Sequence, residues 1–183
     1  RYSGKRVMQL ASNFPVTRLI WCCANTRIPV FPDRVASGRE MRRVLRDGGS
    51  AVISAWQSLN SHPVYEALFT ETARLLDVPI TDVDVASSLS NPDELYTLLS
   101  EAGFQYIEIT PRSLSIRMPE PERFVQFSIL GAATSVPAFA SMDAAERLAL
   151  VDEVRAETHT IVQGFRDGDF LAFSMETNIA IAK

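Results

Sequence analysis

The sequence predicts an α/β fold on a largely parallel sheet. Three observations carry this expectation. Amphipathic helix patterns and short apolar strands follow one another in the order helix, strand, helix, helix, strand, helices, strand. The strand candidate 51–56 is apolar with little alternation, as befits a strand covered on both faces. Polar caps, prolines and glycines punctuate the segments where helices should begin and end.

Each element has its own reason. Leu19 to Cys23 is a short apolar run that reads as a buried strand. Asp33 can cap a helix running to Arg46, with Val35, Met41, Val44 and Leu45 as its apolar stripe. Arg34, Arg39, Arg42, Arg43 and Arg46 recur at helical spacing and read as a solvated face. Asp47-Gly48-Gly49 is expected to end that helix, because glycine accepts the left-handed conformation of a C-cap. Ala51 to Trp56 then forms a strand.

Ser61 to Leu76 reads as a helix that buries Val64, Leu68, Phe69, Ala73 and Leu76, and residues 77–90 as loop. Asn91-Pro92-Asp93-Glu94 opens a helix: asparagine caps, proline suits the first turn, and the acids interact favourably with the helix dipole. Leu95, Leu98, Leu99 and Ala102 face inward, and Gly103 stops it. Phe104 to Ile109 alternates as a strand, continued after Pro111 by Leu114, Ile116 and Met118. Helices are expected over 120–130 and, from the capping box of Asp143 and Glu146, to Gly164. Arg166 to Asp169 is a turn, and Phe170 to Ala182 a last strand.

Composition narrows the function. The chain has 183 residues, 46% hydrophobic and 22% charged, enough for one domain with a core. Its net charge of −4 provides no electrostatic footprint for nucleic acid or an anionic membrane. No apolar run reaches the length of a membrane span. Cys22 and Cys23 are the two cysteines; their adjacency strains a disulfide, and no C-x-x-C accompanies them, so neither a metal nor a redox centre is expected. Their low number favours a reducing compartment, the cytoplasm. His62 and His159 are the two histidines. Either could serve as a general base. The plainer reading makes His62 a polar surface position before a helix and His159 a residue late on a long one. No nucleophile elbow supports a hydrolase triad.

The stretch Phe31-Pro-Asp-Arg34, a helix, then Arg42-Arg43-Val44-Leu45-Arg46-Asp47-Gly48-Gly49 and an apolar strand resembles a segment of class I S-adenosylmethionine-dependent methyltransferases, of the type 11 group with the ubiquinone-biosynthesis C-methylases. That family usually has proline where Asp47 stands. Asn91 to Leu95, with Leu98 to Phe104, resembles its later helix and sixth strand; Met175 to Ile181 resembles its closing seventh strand, antiparallel in the family. The resemblance covers residues 31–183. It implies an incomplete doubly wound, mostly parallel sheet of class I methyltransferase type, with an antiparallel last strand and a helical insertion before it. The expected division is one partial domain over 1–183: a poorly matching 1–30, sheet and helices over 31–118, a lid-like helical insertion over 119–165, and the final strand over 166–183.

The resemblance also implies S-adenosylmethionine as cofactor and a small molecule as substrate. The family grips the cofactor through a D-x-G-x-G-x-G loop after its first strand, where backbone approach requires the glycines. This sequence contains no such loop, and that part of the cofactor site is expected upstream of Arg1. Val7 and Met8 match the segment bordering the adenine, although Arg6 stands where the family has aspartate. Cys23, Ala24 and Asn25 fall by position just after the fourth strand, where the family touches cofactor and substrate. Leu19 to Asn25 departs from the family's F-D-L-V-L-C-Q. Codons exist for Arg18 to Thr26 that spell the family strand in a shifted frame, so residues 11–30 are read as the product of a frame error. Trp56, at the carboxyl end of the fifth strand, is a candidate wall of the substrate pocket, with Tyr65 and Phe127 from the helices; each also reads as plain packing. A non-catalytic α/β remnant, or a binding or oligomerisation module without cofactor, is the alternative. A dinucleotide oxidoreductase would need its own glycine-rich loop.

Overall fold

The computed structural model describes the strand at residues 19–25 and all of residues 32–183. It is a mixed helix and sheet structure. Helix α1 (Arg34–Val44) starts where expected: the Asp33 carboxylate accepts from the Ala36 N–H at 2.8 Å. It ends earlier than expected. Leu45 is already extended, and strand β2 runs Leu45–Trp56. Gly48 does take a positive φ of 76°, but within β2 and not as a helix cap. The pairing gives the reason. Strand β1 (Leu19–Asn25) lies parallel to β2, with Leu19 opposite Leu45 and Trp21 opposite Ser50. Two steps on β1 face five on β2, so Arg46 to Gly49 forms a bulge, where glycine's freedom is useful.

After a 3-10 turn at Leu59–Ser61 comes α2 (Pro63–Leu76), with proline in its first turn and the left-handed Asp77 (φ 52°) at its end. The stretch read as loop contains a short α3 (Ile80–Val83), which buries Val83. Helix α4 (Pro92–Glu101) is capped by Asn91, which accepts from the Asp93 N–H at 2.8 Å. Gly103 follows at φ 96°. Phe104 belongs to this helix stop rather than to the next strand: its N–H donates to Leu99 O at 3.1 Å and its ring is buried. Strand β3 therefore starts later, spanning Ile107–Pro119.

Helix α5 (Pro121–Ala133) follows Glu120, and the short α6 (Pro137–Ser141) was not anticipated. Helix α7 (Ala144–Gln163) carries the capping box of Asp143 and Glu146. Strand β4 (Arg166–Asp167) turns back through Gly168 onto β5 (Phe170–Ala182), pairing Arg166 with Leu171. Strand order is β1-β2-β5-β3, with β4 on β5. The last strand is antiparallel to β2, from Ala51 opposite Ala182 to Trp56 opposite Thr177.

The chain forms two compact units. The first takes the described residues through Gln57 with Leu89–Arg112 and Thr177–Lys183. Its core joins Ile53 of β2 and Ala180 of β5 to Leu95, Leu99 and Phe104. Gly38 is the one fully covered residue of α1, and a Cβ there would meet the Ala102 Cβ at 2.7 Å. Glycine thus permits the close approach of α1 and α4. The second unit is Ser58–Ser88 with Ser113–Glu176, a wider span than the helical insertion expected over 119–165. The reason is α2, whose Val64 and Leu68 share a core with Ile129, Val151, Val154 and Leu171.

Candidate functional site

In sheets with parallel strands, ligands gather beyond the carboxyl ends. Strands β1 and β2 supply such ends in the first unit. Cys23, Ala24 and Asn25 are the last three residues of β1, opposite Val52, Ile53 and Ser54. They thus lie within the strand rather than just after it. Trp56 ends β2 two residues beyond Ser54 and is half-buried. The structure brings these positions to one end of the parallel pair. That end is braced by polar groups. The Thr177 hydroxyl donates to Ala55 O at 2.9 Å. Asn178, buried at 4% exposure, donates from Nδ2 to Ser90 O at 2.9 Å. The chain entering α4 is thereby tied to β5.

Tyr65 and Phe127 belong to the second unit. Tyr65 sits edge-on to Phe69, Phe124 and Phe173, with ring centroids 5.4, 5.6 and 6.0 Å away. Burial pushes its hydroxyl above the usual phenol range, against the opposing bond to Ser128. These contacts make Tyr65 part of an aromatic cluster. Phe127 is 58% exposed, with the Arg123 guanidinium 5.4 Å from its ring. Val7 and Met8 lie outside the described residues.

Sequence reasoning misplaced His62. It is buried at 3% exposure, not a surface residue. Its Nε2 accepts from the Glu176 N–H at 2.9 Å. The same nitrogen is 3.0 Å from Glu176 O. Burial pushes the Asp84 carboxyl above the ordinary aspartate range. The Ser87 hydroxyl and N–H, donating at 2.9 and 3.3 Å, and the nearby His62 act the other way. No local pattern signals this cluster, because Glu176 is far away in sequence. His159 is exposed and lines an open groove of about 610 Å³ between α5 and α7, where Arg166 meets Glu122 at 3.2 Å. Among the described residues no group of three histidine, cysteine or acidic side chains could hold a metal ion. None of the described helices is long and apolar enough to cross a membrane.

For S-adenosylmethionine the fit is partial. The described residues supply the ends of two parallel strands, with Trp56 at one of them. No described glycine follows the carboxyl end of β1 or β2; Gly48 and Gly49 lie at the opposite end of β2.

No family model matches the chain. A Bacillus halodurans C-125 structure assigned as a methyltransferase aligns with 93% of this chain and 71% of its own, at 14% identity and a TM-score of 0.44. Phosphoethanolamine N-methyltransferase 2 of Haemonchus contortus, in complex with phosphomonomethylethanolamine and S-adenosylhomocysteine, aligns over 93% of this chain at 15% identity and a TM-score of 0.41. The present chain spans 34% of that protein. At these values the likeness assigns no residue a role.

Proposed function

We propose that the chain is the later portion of a class I, doubly wound methyltransferase domain that transfers a methyl group from S-adenosylmethionine to a small molecule. One observation carries the reading: β5, the last strand in sequence, lies antiparallel beside β2, whose other neighbour, β1, is parallel. This is the relation implied by the resemblance of Met175 to Ile181 to the family's closing strand. The cofactor would supply a sulfonium methyl for in-line attack. The chain's own residues would hold and orient the reactants. The ends of β1 and β2 form a ledge, Trp56 a wall, and the Thr177 and Asn178 bonds keep that ledge rigid. The apolar helices of the second unit favour a bulky, partly apolar acceptor.

The missing glycine cradle among the described residues favours a second reading, a cofactor-free α/β remnant or binding module. Calorimetric titration with S-adenosylhomocysteine separates the two. The methyltransferase reading expects binding much weaker than micromolar, since only part of the cofactor grip is present. Absence of any heat into the millimolar range assigns the second reading. Micromolar affinity would show that this chain grips the cofactor without a glycine-rich loop and would overturn the partial-fit argument.

A further inference from the structure

We propose that His62 is a proton-operated latch inside the second unit. In its neutral form it fastens the Glu176 amide of β5 to the start of α2. When protonated it releases that amide. This device is independent of the methyl-transfer reading and stands or falls on other measurements.

The geometry is specific. His62 is the residue before the first turn of α2, and its carbonyl accepts from the Glu66 N–H at 2.8 Å, so the backbone is anchored. Its ring is enclosed, and Nε2 reaches across the chain to β5. Glu176 lies one residue beyond the last pair of β2 with β5, Trp56 opposite Thr177. On that side the strand ladder has ended, and the imidazole takes the amide. Accepting an N–H requires a lone pair on Nε2, which places the proton of the neutral ring on Nδ1. Protonation removes that lone pair and sets two N–H groups against each other across 2.9 Å. The new Nε2–H has an alternative acceptor in Glu176 O at 3.0 Å, but the Glu176 N–H then has lost its partner.

The charged groups around the ring come from several elements. Asp84 stands at the end of α3, its carboxyl raised by burial. The Glu176 carboxylate of β5 is held by the Ser113 hydroxyl at 2.6 Å. Glu66 stands one turn along on α2 itself. Helix α5 meets α2 at the Tyr65 and Ser128 pair, which is uncharged at neutral pH. On α7, Glu153 and Glu157 face Arg74 at the other end of α2. The charged groups around the ring are thus acidic.

Amide hydrogen exchange on the chain as it stands tests this. After correction for intrinsic rates, protection of the Glu176 amide should fall about tenfold on going from about pH 7.5 to about pH 5.5, the factor expected for a buried bond of ordinary strength. His62→Gln keeps an acceptor that does not titrate there, so protection should become independent of pH. Equal protection of the wild type at both pH values overturns the proposal, as does an unchanged pH dependence in the variant. A second measurement needs no variant. The ¹⁵N shifts of the wild-type ring should show Nδ1 protonated at neutral pH; a ring protonated at Nε2 there also overturns it.

Discussion

Replacing Gly38 by alanine should destabilise the first unit, although glycine-to-alanine changes inside helices usually do the opposite. The helix itself gains about 1 kcal/mol from the change. The new Cβ, however, would stand 2.7 Å from the Ala102 Cβ. Carbon atoms rest at about 3.5–4.0 Å, so α1 and α4 must part by about 1 Å. They are pressed together by Leu98, Leu99 and Ala102, all buried. Overpacking of this kind costs about 1–3 kcal/mol, which leaves a net loss of up to about 2 kcal/mol. Gly131 provides the contrast. It lies within α5, and a Cβ there meets nothing within 4 Å. Gly131→Ala should therefore stabilise its unit by about 0.5–1 kcal/mol. Urea titration read by hydrogen exchange resolves the two units separately. Adding Ala102→Gly to Gly38→Ala should recover much of the loss, since it removes the other half of the clash. If Gly38→Ala stabilises α1 and α4 as Gly131→Ala does α5, the close-approach argument is wrong.

Asp84 makes stability depend on pH in an uncommon direction. Burial raises its folded-state value above the unfolded one, so the folded chain holds the proton across the window between them, and stability falls as pH rises through that window. Asp84→Asn keeps an oxygen for the Ser87 hydroxyl and removes the charge. Its Tm at neutral pH should exceed that of the wild type, with a flatter profile on the acid side; a lower neutral Tm refutes the sign. For residues 11–30, the nucleotide sequence should open a strand of the form F-D-L-V-L-C-Q in a shifted frame, and codons that open it in neither alternative frame dispose of the frame-error reading.

Elements fixed by nearby residues were legible in the sequence. The Asp143 and Glu146 box, the Asn91-Pro92 start and the last strand from Phe170 all stand where expected, because their signals lie within a few residues of one another. What escaped depends on distant partners. The bulge at Arg46 to Gly49 is set by register with β1, and the same Asp-Gly-Gly reads equally well as a helix stop. Gly38 matters only through Ala102. His62 looks like a surface residue until Glu176 arrives from far along the chain. For the candidate site, strand direction placed Trp56 at a carboxyl end, since that follows from chain order alone. The surroundings of Tyr65 and Phe127 came from helix packing, which a stripe of apolar residues does not specify.

Strand β5 has a consequence for how the chain is made. Leu171 and Phe173 fill one core, and Ala180 and Ala182, a few residues on, fill the other. All the described helices precede this strand in chain order. On the ribosome they emerge with their apolar faces formed but their cores unfinished. The second unit cannot close until Phe173 has cleared the exit tunnel, nor the first until Ala182 has, so both should complete late and in that order.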